Sequence, residues 1–282
     1  MPFQLAADKG ELVLWDIAGK NAAWRVPLPD DKRVRDSLVT TLSSGADWIA
    51  ASAEIEKGKP HTRIWKASSD VPHLELDFAS DAVAFSASGD FVALADNAHR
   101  RIAIHSLKSK AVVVELPTGA VPIHSLAFGK NPRRSADPLA RHVLAAGDAG
   151  GSAVIWDLRP RQPLSHCRGL PRDVAALAFH PDGILLATGG REEVQLWEVT
   201  SGRACLRLRP PHGIDYVTQL AFSSDGTRLA AASRGVWCPP CTAVWEIENG
   251  RGVRRLMGLS GQVEMFAISP DGHTAAALAQ NW

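Results

Sequence analysis

A tryptophan that closes a short run of alternating apolar residues, usually with an acidic residue after it, returns along this 282-residue chain at nearly regular intervals. LVLWDI, TRIWKA, AVIWDL, VQLWEV and TAVWEI put Trp15, Trp65, Trp156, Trp197 and Trp245 at equivalent points, and IAIHSL supplies a further copy with His105 in place of tryptophan. The steps between them are 50, 40, 51, 41 and 48 residues. Periods of this size belong to solenoids, propellers and arrays, whose single units cannot bury an apolar face alone. Repetition therefore constrains the architecture before any single motif is weighed.

Residues 174–208 give the clearest unit: VAALAF, ILLATG, VQLWEV and ACLRLR, joined by HPDG, REE and TSGR. The joints are turn chemistry, and the runs are short and rich in Val, Ile, Leu and Phe, so four antiparallel strands in meander order are predicted. The same grammar returns in AFSASGD before Phe91, AFSSDG before Arg228 and AISPDG before His273. Aspartate and glycine there tolerate the positive φ of a tight hairpin. VAALAF is apolar at every position. Such a strand is covered on both faces, as in a radial stack where each sheet packs on two neighbours.

On these residues the chain resembles the WD-repeat β-propeller family over nearly all of its length. The resemblance implies an all-β fold of four-stranded antiparallel blades, with the tryptophan at the end of each third strand, packed between blades. It also implies a Gly-His pair before the first strand; that pair is absent, and only His124, His166 and His212 fall near its place. The family's aspartate in the turn before the third strand is found at Asp8 and Asp148. The aspartate, histidine, serine or threonine and tryptophan hydrogen-bond network of the family is thus incomplete in every copy, and the blades lean on packing.

Residues 38–259 supply five four-strand units, and 1–37 and 260–282 are partial repeats within one domain spanning 1–282. The remnants fill one shared blade of a closed six-bladed ring if FQLAAD is not a strand; the alternative is an incomplete seven-bladed ring cut at Trp282. The 25 candidate strands lie between the two.

Composition is that of an ordinary soluble globular protein, with 45% hydrophobic and 22% charged residues. Net charge of +1 makes nucleic acid an unexpected partner. No run approaches the ~20 apolar residues of a membrane helix and no secretory signal is recognisable, so the expected location is cytoplasmic and no membrane partner is expected.

Three segments stand out as enlarged loops: Gly129–Arg141, Glu54–His61 and Arg234–Cys241. Lys130, Arg133, Arg134 and Arg141 could meet a phosphate or an acidic partner, although a solvated loop is the simpler reading. WCPPC, at Trp237–Cys241, resembles a thioredoxin-type redox motif, but it runs straight into a strand, without the helix that lowers a thiolate pKa. Zinc would need Cys167 or Cys205 from other repeats, apparently on outer strands. No catalytic motif, cofactor or metal site is expected. The expected function is a non-catalytic scaffold for a protein or peptide. The sequence style also resembles the repeat region of large bacterial signalling proteins. The alternative is a redox or hydrolytic enzyme using WCPPC or the central channel. In the family, loops between second and third strands open on the side used for partners, which makes Trp237, Pro239, Pro240, Lys57, Lys59 and His61 the candidate partner-binding residues, with Trp237 either an exposed anchor or folded onto a neighbouring blade.

Overall fold

The computed structural model of the protein describes residues 3–8, 11–16, 21–27, 38–43, 45–56, 59–132, 136–191, 193–208, 216–233, 242–247, 252–256, 262–268 and 275–280. It is all-β: the described helical structure is a single 3-10 turn, Leu139–Arg141. Two compact units divide the chain, residues 1–120 and 121–282.

In the first unit, β1 (Phe3–Asp8), β2 (Glu11–Asp16) and β3 (Asn21–Pro27) form a three-stranded sheet. Two four-stranded sheets follow: β4 (Val39–Leu42), β5 (Trp48–Glu56), β6 (Lys59–Lys66) and β7 (Leu74–Leu76), then β8 (Val83–Phe85), β9 (Phe91–Asp96), β10 (Arg101–Ser106) and β11 (Val112–Pro117). The second unit holds three more: β12 (Ile123–Lys130), β13 (His142–Asp148), β14 (Ser152–Asp157) and β15 (Gln162–Arg168); β16 (Ala176–Phe179), β17 (Leu185–Gly189), β18 (Val194–Glu198) and β19 (Ala204–Leu208); β20 (Val217–Phe222), β21 (Arg228–Ser233), β22 (Thr242–Glu246) and β23 (Gly252–Leu256). A pair, β24 (Gln262–Ile268) and β25 (Ala275–Gln280), completes it. Every sheet is an antiparallel meander, and the five four-stranded units fall where the repeat places them. FQLAAD is a strand, β1, paired with β2 along its whole length. The N-terminal remnant thus supplies the last three strands of a unit and the C-terminal remnant the first two, one more than a shared blade needs.

The repeat is visible in the backbone. Where the third strand meets the fourth, the register slips immediately before Trp15, His105, Trp156, Trp197 and Trp245. Such a bulge re-aims a side chain and raises the local twist. His105 occupies the tryptophan slot and is buried like Trp65, Trp156, Trp197 and Trp245. Two residues on, the amides of Ala67, Leu107, Val199 and Ile247 each donate to the carbonyl before the second strand of their own sheet, at Asp47, Asp90, Ile184 and Thr227.

The tryptophans seal neighbouring sheets. Trp197, 3% exposed, packs with Leu186 and Val199 against Ile155 and Cys167 of the preceding sheet, and Trp245 packs in the same way against Leu196 and Leu208. In the first unit Ile64 and Leu74 meet Val92, Leu94 and Leu107. Trp24 on β3 stands edge-on to Trp65, ring centroids 5.7 Å apart, and donates its Nε1 hydrogen to Ser69 O at 2.8 Å. Hydrogen bonds bridge the sheets as well: Ser165 Oγ donates to Val199 O at 2.6 Å, and His73 Nε2 lies 2.7 Å from Leu107 O.

One expected loop is not a loop. Glu54–Glu56 and Lys59–His61 continue the β5–β6 ribbon, with Ala53 opposite His61, Glu54 opposite Pro60 and Glu56 opposite Lys59. Proline is confined to sheet edges, since it has no N–H to give to a ladder. The short β7 pairs only with Thr62–Ile64, however, so Pro60 lies beyond its reach, where a missing N–H costs no ladder bond on that side.

Candidate partner-binding face

In the second unit, turns between second and third strands meet the connections between sheets. Asp148 Oδ1 accepts the amides of Gly150 and Ser152 at 2.8 and 2.9 Å and so fixes the first such turn. Gly151 sits there at φ +85°, and a Cβ would collide with the carbonyls of Leu170 and Arg172 in the following connection. Val174 N donates to Asp148 O at 2.9 Å, and Ser125 Oγ donates to Val174 O at 2.7 Å. One repeat on, Gly190 lies against Asp173 O and accepts Val217 N at 3.0 Å. The Asp173 carboxylate accepts the hydroxyl of Tyr216 and lies 3.7 Å from His124 Nδ1. Three successive sheets thus converge on one carboxylate, and exposed Arg168, Arg172 and Arg191 surround the joint.

Of the residues expected to bind a partner, Trp237, Pro239, Pro240 and Lys57 lie outside the described residues. Lys59 belongs to β6. His61, also on β6, has only 17% of its side chain exposed; its Nδ1 is 3.7 Å from Asp77 Oδ1 and hydrogen-bonds to no described residue. Nothing in the sequence pattern selected Asp173, although Tyr216 is the only tyrosine in the chain and so a usable signal. In the segment Gly129–Arg141, Asp137 Oδ1 accepts Leu139 N at 2.9 Å and Oδ2 lies 3.8 Å from Arg159, while Arg133 and Arg134 lie outside the described residues.

Turn aspartates do turn work. Asp182 accepts Ile184 N at 2.7 Å and Asp225 accepts Thr227 N at 3.0 Å, each beside a glycine at positive φ, Gly183 and Gly226. Hydrogen bonds from Ser223 and Thr227 hold the Asp225 carboxyl below its usual value. Cys167 and Cys205 lie on the outer strands β15 and β19 as expected. Burial pushes the Cys167 thiol up to about 12, far from a reactive thiolate, and Cys205 is exposed and free. Cys238 and Cys241 lie outside the described residues. Among those described, no three His, Cys, Asp or Glu side chains are grouped to hold a metal.

A family profile, the WD domain, G-beta repeat, matches residues 161–198 and 203–235. The first match runs from the outer strand of one sheet, β15, through the first three strands of the next, which is how a repeat must be phased to tie two sheets together. Over residues 161–235 the chain is similar to the WD-repeat family. Transducin beta-like protein 3 of Rattus norvegicus is 26% identical over 221 residues, 76% of this chain and 26% of that protein. A coronin-like protein of Saccharomyces cerevisiae is 28% identical over 35% of this chain and 17% of its own length. Apoptotic protease-activating factor 1 of Homo sapiens is 31% identical over 45% of this chain and 10% of its own. The chain spans about a quarter or less of the length of these relatives.

The sheets keep fragments of the hydrogen-bond network that the resemblance to WD repeats implies. Trp197 Nε1 donates to Thr188 Oγ1 at 2.8 Å, whereas buried Trp65 Nε1 hydrogen-bonds to no described residue. The turn aspartate occurs a third time, at Asp96, which the spacing had not revealed: DNAHR has Ala98 and His99 where DAGGS has glycines. Burial pushes the Asp96 carboxyl up, but hydrogen bonds from His99, at 2.8 Å, and Arg101, at 3.1 Å, outweigh it and hold the pKa below 3.8.

Proposed function

We propose that this WD-repeat chain is a non-catalytic scaffold that binds a protein or peptide on the face of turns and sheet connections. The observation that carries this reading is the convergence of three sheets at Asp173. The polar groups that hold the blades together are spent inside the joint, and the cationic side chains around it point to solvent. Loops set on a rigid repeat frame are where binding residues concentrate. The matches to short stretches of much longer relatives support a role as the repeat region of a larger protein. A bacterial signalling setting rests on likeness of sequence style alone.

The test is affinity capture on the immobilised chain from native extract, followed by titration of each purified candidate in a calorimeter. A saturable complex that survives alkylation of Cys238 and Cys241 is expected. Absence of any saturable partner, or disulfide reductase activity that alkylation abolishes, would overturn the proposal.

A further inference from the structure

The two units differ in the kind of charge they carry. Residues 1–120 hold 14 Lys and Arg, six of them Arg, against 16 Asp and Glu; residues 121–282 hold 17, of which 16 are Arg, against 14 Asp and Glu. Arginine presents a planar fork that pairs with a carboxylate through two parallel hydrogen bonds, which lysine does not. On the hairpin side of the second unit two arginines are matched by carboxylates: Arg159 lies 3.8 Å from Asp137 and Arg203 lies 3.9 Å from Glu198.

On the connection side Arg168 and Arg172 stand apart from such pairs among the described residues. Asp148 is consumed by its own turn, Asp173 by Tyr216 and His124, and buried Glu193 by Arg207 at 2.5 Å. Arg168, opposite Ser152, and Arg172, whose carbonyl packs on Gly151, flank the same turn; both are exposed and neither has an ion-pair partner among the described residues. Resting on the scaffold reading, we infer that this face docks an acidic peptide segment, with Arg168 and Arg172 as its carboxylate forks. A peptide fits better than a nucleic acid, because a net charge of +1 leaves no extended basic footprint for a continuous phosphate backbone, whereas two guanidinium forks suit separate carboxylates.

The experiment uses the whole chain and a fluorescein-labelled peptide of about ten residues alternating Glu with Ser, followed by fluorescence anisotropy at low ionic strength. The double variant R168E/R172E should weaken binding by about tenfold or more, while R159E/R203E, an equal charge change on the hairpin side, should change it less than about twofold. Retained β-sheet circular dichroism qualifies each variant, and R168Q/R172Q, with an intermediate loss, replaces the first pair if it does not fold. Equal losses in both pairs would reduce the effect to bulk charge and overturn the inference, as would no peptide binding by the parent chain or tighter binding of labelled oligothymidylate. A partner complex indifferent to R168E/R172E would sink this inference and leave the scaffold reading intact.

Discussion

The blade of β8–β11 and the blade of β16–β19 share a backbone and differ in what fills it. Gly89 and Gly183 turn their first hairpins at φ +72° and +80°, donating to Ser86 O and His180 O at 3.0 and 2.9 Å. Leu107 and Val199 make the same closing bond at 2.8 Å, and the same register slip precedes His105 and Trp197. One slot holds an indole hydrogen-bonded to Thr188; the other holds an imidazole whose Nδ1 lies 3.5 Å from Lys110 O. Blade geometry is thus set by turns and ladder, and the aromatic network is an addition that one blade does without.

Truncation should separate the two most strongly. Trp197→Ala removes a large side chain from between two sheets and is expected to cost roughly 3–5 kcal/mol, seen as a lower midpoint in urea unfolding. His105→Ala should cost clearly less, since a smaller ring leaves a smaller cavity; equal losses would show that the slot, not its filling, carries the stability. Next comes Thr188→Val, which keeps shape but removes the acceptor of a buried indole N–H and should cost about 1–3 kcal/mol. No loss there would mean that the Trp197 hydrogen bond contributes nothing net.

Acidification probes the imidazole. Burial lowers the His105 pKa below 6.5, so the unfolded chain takes up a proton there before the folded one does. Its neutral form supports the fold above pH 6.5, and that support is lost as pH falls from 6.5 through the folded pKa. Chemical unfolding of the parent chain and of His105→Phe at successive pH values should therefore converge or cross on acidification, the variant losing less. Parallel decline in both would remove His105 as the cause. Asp96, held below 3.8, adds its own loss only at lower pH, which keeps the two windows apart.

Strands, meander order and the tryptophan slot, His105 included, could be read from the sequence because each depends on neighbours a few residues away. The aspartates of HPDG and SSDG were legible for the same reason. Contacts across sheets were not: Tyr216 lies 43 residues from the Asp173 it bonds, and Trp24 lies 45 from Ser69. Pairing range also explains why Glu54–Glu56 and Lys59–His61 are strand, since nothing local says how far β7 extends.

The smallest expected effect carries the comparison into the first unit. Thr188 stands opposite Gln195, two residues before Trp197; Ala51 stands opposite Arg63, two residues before Trp65. Trp65 is 2% exposed, and its Nε1 has no hydrogen-bond partner among the described residues. A buried donor left without an acceptor forfeits its bond to water, so Ala51→Thr should supply what Thr188 supplies to Trp197. Crowding opposes it, because Ala51 is fully buried and two added heavy atoms must fit. Ala51→Val carries the same bulk and β-branching without the acceptor, and both suit a strand. The difference between these variants isolates the hydrogen bond: threonine should be the more stable by about 0.5–1.5 kcal/mol in urea unfolding, whatever the shared crowding costs. If valine equals or exceeds threonine, the indole N–H of Trp65 is no liability, and the two tryptophan slots are equivalent despite their different surroundings.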